Sequence, residues 1–95
     1  MEKCIFRVGH SANMEPTLMT GDRIACIKTD YETLKFYGGY IYYIELTDGQ
    51  TTIRRVYDEG DSIKIKYDGG DGGSQMIPKK YVQAIYRVVA SARTY

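Results

Sequence analysis

Tryptophan is absent from this chain, histidine occurs once and cysteine twice in 95 residues. Cys4 and Cys26 are too few and too scattered for a disulfide framework or a CxxC zinc site, so they are expected as small buried apolar residues. A surplus of one charge is missing too: 13 Lys and Arg stand against 12 Asp and Glu, a net charge of +1. Strong nucleic-acid binding needs a clear positive surplus on one face, so the chain acting alone is not expected to bind DNA. No apolar run approaches the roughly 20 residues of a membrane helix. The opening MEKCIFRV alternates instead of forming the apolar segment of a signal peptide. No membrane contact is expected, and the cytoplasm is the expected location. The acidic residues sit mostly at turns. DEGD (58–61) and DGGDGG (68–73) lack the spacing of a calcium loop, and GGDGGS (69–74) lacks the Lys-Ser/Thr of a phosphate loop. Neither a metal nor a cofactor is expected.

What the chain has in abundance is tyrosine, ten in all, mostly in alternating runs that suit half-buried strands. KCIFRV (3–8), RIACIK (23–28), YIYYIEL (40–46), TTIRRVYD (51–58), SIKIKYD (62–68) and VQAIYRVVAS (82–91) read as strands. Asp48-Gly49 marks a tight hairpin between the third and fourth. Lys64 and Lys66 alternate with Ile63 and Ile65 and are expected on a solvent face. DYETLKF (30–36) fits one helical turn capped by Asp30, GGDGGS is expected as a loop, and IPKKYV (77–82) as a turn or helical turn. The expectation is a single domain over residues 1–95: mostly β, a compact, curved, barrel-like sheet with one or two short helical turns.

The order of three segments carries a resemblance: NMEPTL followed by TGD (13–22), then GGYIYYIELTDGQTTIRRV (38–56), then AIYRVVA (84–90). It resembles the C-terminal domain of LexA, UmuD and the phage repressors, self-cleaving serine peptidases related to signal peptidases. The resemblance implies a serine–lysine dyad, in which a buried neutral lysine takes the proton of a serine that attacks a peptide carbonyl. The family's serine precedes MxPTL, and its lysine lies on the return strand of the hairpin. Carried over without a gap, the serine position is Asn13 and the lysine position is Arg54, while Met14, Glu15, Pro16 and Thr17 line the cleft. Asparagine offers no nucleophilic hydroxyl, and arginine stays protonated at neutral pH. Both halves of the dyad are therefore missing.

The expected function is that of a non-catalytic domain mediating self-association in a transcription regulator, with DNA bound only through a separate domain. An isologous homodimer is expected, through β edges or a flat apolar face near the C-terminal strand, with Tyr81, Ile85, Tyr86 and Val88 as interface residues. Asn13 is expected to accept a hydrogen bond from Arg54. Two alternatives stand beside this. Ser11, which follows Gly9-His10, could be the nucleophile of an active peptidase if Ala12-Asn13 were an insertion. The vacant cleft between residues 9–18 and the 40–56 hairpin could also hold a peptide strand.

Overall fold

The structure is a computed structural model, and it describes residues 3–7, 21–67 and 73–92. The elements run β1 (Lys3–Arg7), β2 (Arg23–Thr29), α1 (Tyr31–Phe36), β3 (Ile41–Leu46), β4 (Thr51–Asp58), β5 (Ser62–Lys66), β6 (Ser74–Pro78), a 3-10 turn (Lys79–Tyr81) and β7 (Val82–Ala92). All seven strands form one sheet in the order β1-β2-β7-β3-β4-β5-β6, with every pairing antiparallel. The protein is mostly β with one short helix and one 3-10 turn, as the alternating runs imply.

Local chemistry sets the corners. Asp30 caps α1 by accepting from the Thr33 amide at 2.8 Å, which satisfies one donor left open at a helix start. Leu34 is the one buried side chain of this six-residue helix. The β3–β4 hairpin closes at Asp48-Gly49, where Asp48 Oδ1 accepts from the Gln50 amide at 2.9 Å and Gly49 takes φ +89°.

The sheet is covered on both faces. Tyr42, Ile44, Val56, Ile63, Ile65 and Ile85 form one buried cluster with Leu34 laid over it. Ile24, Cys26, Ile53 and Tyr86 form a second, flanked by Phe6, Ile41 and Tyr43. The register puts the two clusters on opposite sides, since Ile44 pairs with Ile85 while Tyr43 pairs with Tyr86 and Ile53. One contact shows how strongly the sheet curls. Phe6 of β1 stacks flat on Tyr43 of β3, with ring centroids 3.7 Å apart and an interplanar angle of 6°. In a flat sheet β1 and β3, three strand spacings apart, would be separated by about 14 Å. The β1-β2-β7-β3 half therefore wraps around the second cluster.

Two sequence expectations need correction. Residues 74–78 were expected as the end of a loop and the start of a turn, yet they form the edge strand β6, paired with β5 from Ser62↔Pro78 to Lys66↔Ser74. Its only half-buried residue is Ile77, so no alternation betrays it, and Pro78 sits at its end, where no further ladder bond is needed. Second, edge pairing near the C-terminal strand was one of the two routes expected for self-association, and β7 is an interior strand over residues 85–87. It pairs with β2 from Ile85 to Ala92 and with β3 from Val82 to Arg87. Residues 85–87 thus have partners on both sides and cannot pair with another chain edge to edge.

Candidate functional site

Arg54 is the described half of the expected dyad site. It lies on β4 opposite Tyr42, on the face that carries Ile44 and Val56. Strand β4 places Ile53 and Arg54, adjacent residues on opposite faces, both in buried surroundings. Arg54 is only 8% exposed. Its guanidinium lies 4.3 Å from the centroid of the Tyr67 ring, and Nη1 donates to the Ile53 carbonyl at 2.6 Å. A stacked, hydrogen-bonded guanidinium is a structural cation. A guanidinium offers donors and no acceptor, so it does not take the proton of a nucleophile.

Beside it, Tyr42 is fully buried and donates its hydroxyl to the Tyr37 carbonyl at 2.9 Å. Burial pushes its phenol up to about 12; the positive charge of Arg87 opposes this, and Tyr37 and Tyr40 add to it. Tyr42 is therefore a neutral donor at physiological pH. The cysteines lie directly opposite one another on β1 and β2, as the pair Cys4↔Cys26. Both are free thiols. Burial first, and then the neighbouring Cys4, push the Cys26 thiol up to about 12, so it stays protonated at neutral pH.

Asn13, Ser11, Met14, Glu15, Pro16 and Thr17 lie outside the described residues, as does His10. The hydrogen bond expected between Asn13 and Arg54 falls there too, as does one wall of the expected peptide cleft. Of the four residues expected at an interface, Ile85 is 3% exposed and Tyr86 7%, because each is packed in one of the chain's own two clusters. Neither is a surface residue. Adjacent apolar positions on a strand covered on both faces look like a sticky patch in sequence and are core in the fold. Val88 is half-buried and Tyr81 is exposed.

Among the described residues, no group of three or more His, Cys, Asp or Glu could hold a metal ion, and no helix is long and apolar enough to cross a membrane. Lys64, expected on a solvent face, is partly exposed and reaches Glu59 at 3.8 Å and the face of the Tyr57 ring at 5.3 Å. Comparison with protein-family models, with curated proteins and with solved structures gives no match to this chain. Function has to be read from the side chains themselves.

Proposed function

We propose that this chain is a non-catalytic domain of the LexA and phage-repressor type, which acts by associating with a second copy of itself as the effector half of a transcription regulator. The observation that carries this reading is Arg54. At the position where the resemblance requires a proton-accepting lysine, the fold holds a buried guanidinium stacked on Tyr67 and bonded to a main-chain carbonyl. Such a group braces β4 against Tyr67, just past the end of β5, and performs no acid–base step. Asn13 at the serine position argues the same way from sequence. With the near-neutral charge of the chain, DNA is left to a separate domain. Because Ile85 and Tyr86 are core, the surface left for pairing lies at Tyr81, in the 3-10 turn before β7, and at Val88 and Val89 near its far end.

Two measurements test the reading. Sedimentation velocity over a wide concentration range is expected to show a reversible dimer, and a strict monomer at high concentration would overturn self-association. A fluorophosphonate probe is expected to leave the protein unlabelled. Labelling that disappears in Ser11→Ala would establish a peptidase instead.

A further inference from the structure

β7 is paired unequally along its two sides. On the β2 side its ladder runs to Ala92, but on the β3 side it stops at Arg87. β3 begins only at Ile41, because the chain turns in from α1 through Gly38-Gly39. That turn is fixed: Gly39 takes φ +87°, and a Cβ there would come within 3.2 Å of the Tyr57 ring. Among the described residues, no strand covers the β3 side of β7 from Val88 to Ala92. A groove of about 430 Å³ opens along this stretch.

The walls of the groove have a definite chemistry. One flank is Tyr37, Tyr40 and Ile41, and the other is residues 88–91 of β7. Arg55 and Arg87 complete the lining, which contains no aspartate or glutamate. Two cations and no anion contrast with the chain's overall balance of charge. Both arginines are already oriented. The Arg87 guanidinium lies over the Tyr37 ring, 4.7 Å from its centroid, and Arg55 Nη1 donates to the Gly39 carbonyl at 2.9 Å. A guanidinium stacked through its face still presents in-plane N–H donors with the geometry of a carboxylate. Tyr37 and Tyr40 stack on each other with centroids 5.6 Å apart, and both remain substantially exposed. Exposed tyrosine beside pre-oriented arginine is the composition of interface centres.

We propose that this groove docks an extended acidic peptide segment of another protein. The segment adds as a strand along Val88–Ala92 and sets a carboxylate against Arg87, while Arg55, which the register places on the other face, adds positive charge to the same groove. Five residues of strand span about 17 Å, enough for a ladder of a few main-chain hydrogen bonds. Main-chain pairing supplies an affinity that tolerates sequence variation, and the arginines select acidic side chains. A nucleic acid is disfavoured, because two cations on a near-neutral chain neutralise too few phosphates. The groove uses the side of β7 that no described strand covers, and it shares Val88 and Val89 with the proposed self-association, so a second copy is the competing occupant.

Fluorescence anisotropy tests it with a fluorescein-labelled Val-Glu repeat peptide of about eight residues, and with an array of acidic peptides drawn from varied sequences. The Val-Glu peptide is expected to bind, and to bind more weakly as salt rises. Replacing its glutamates by glutamine is expected to weaken binding about ten-fold or more, and a proline at its centre to abolish it by removing a ladder donor. Arg87→Gln is expected to weaken binding to a similar degree, with Arg87→Lys between it and the parent. Thermal melts verify that both variants fold. Amide shifts on binding are expected at residues 88–92. The proposal is overturned if the glutamate and glutamine peptides bind equally, if no acidic peptide on the array binds, or if the shifts map elsewhere. It is also overturned, in favour of a second copy as occupant, if Arg87→Gln dissociates a dimer and leaves peptide binding unchanged.

Discussion

Arg54→Lys separates a structural cation from a catalytic remnant most directly. It keeps the charge and restores the residue type that the resemblance assigns to this strand. Two described interactions are at stake. The stack on Tyr67 is a desolvated cation–π contact, worth about 1–2 kcal/mol. The bond from Nη1 to the Ile53 carbonyl is a hydrogen bond from a charged donor, worth about 1.5–3 kcal/mol. A lysine can remake one of these but not both, because its ammonium is a single point at the end of a flexible stem. The expected net loss is about 2 kcal/mol, which lowers the melting temperature of a domain this size by about 8–16 °C. Arg23→Lys, at an exposed position, is expected to change stability by less than about 0.5 kcal/mol and serves as the control. A double-mutant cycle with Tyr67→Leu should return a coupling of about 1 kcal/mol. Amide hydrolysis by Arg54→Lys is expected to stay at background. If Arg54→Lys melts within a degree or two of the parent and the cycle shows no coupling, the claim that Arg54 braces the fold is refuted.

Leu34→Ala removes the one buried side chain of α1 and is expected to cost about 2–5 kcal/mol in urea unfolding, against a smaller loss for Asp30→Ala at the cap. Tyr42 should ionise late in a spectrophotometric titration, near its raised value of about 12, and Tyr42→Phe should remove that phase. Because the folded protein holds this proton more tightly than the unfolded chain, the contribution of Tyr42 is fully present below about pH 10 and is lost as pH rises toward 12. Stability that rises over this range would contradict the assignment. Cys4 and Cys26 face each other across an antiparallel pair, where Cα atoms lie about 4.5–5.5 Å apart, within the range a disulfide accepts. Oxidation with diamide at mildly alkaline pH is expected to produce an intrachain disulfide, read by intact mass as the loss of two hydrogens and absent in Cys4→Ser; dimers linked through Cys4 alone would argue against the register.

The sheet was legible wherever one residue in two was apolar. β2, β3, β4 and β5 start and end within about two residues of where the alternation places them. The signal failed where the fold departs from a half-buried strand. β6 is an exposed edge held mainly by its ladder to β5, so SQMIP carries no apolar rhythm. Ile85 and Tyr86 were expected at an interface because aromatic residues are enriched at interface centres, a composition that core strands share. The curl that brings Phe6 onto Tyr43, and α1 lying over the opposite face, makes both positions core. The groove beside Val88–Ala92 was invisible for a related reason. It depends on where β3 begins relative to the end of β7, a register that no local pattern encodes.

On the proposed reading, the loss of a dyad and the survival of its scaffold fit together at Arg54. A lysine that acts as a base must be buried and yet neutral at working pH, so its strand carries a group that is costly to charge. An arginine at the same position can never be neutral, so the fold has to compensate a permanent buried charge. The stack on Tyr67 and the Ile53 carbonyl contribute to that compensation, and both lie within the strand or just past the next hairpin. The apolar clusters on either side need no adjustment, since Ile53 and Val56 keep their places around it. On the proposed reading, replacing a titrating amine with a fixed cation exchanges a reaction for rigidity at one point of the sheet. It leaves the surfaces on which a binding domain depends, the ends of β7 among them, free to serve partners.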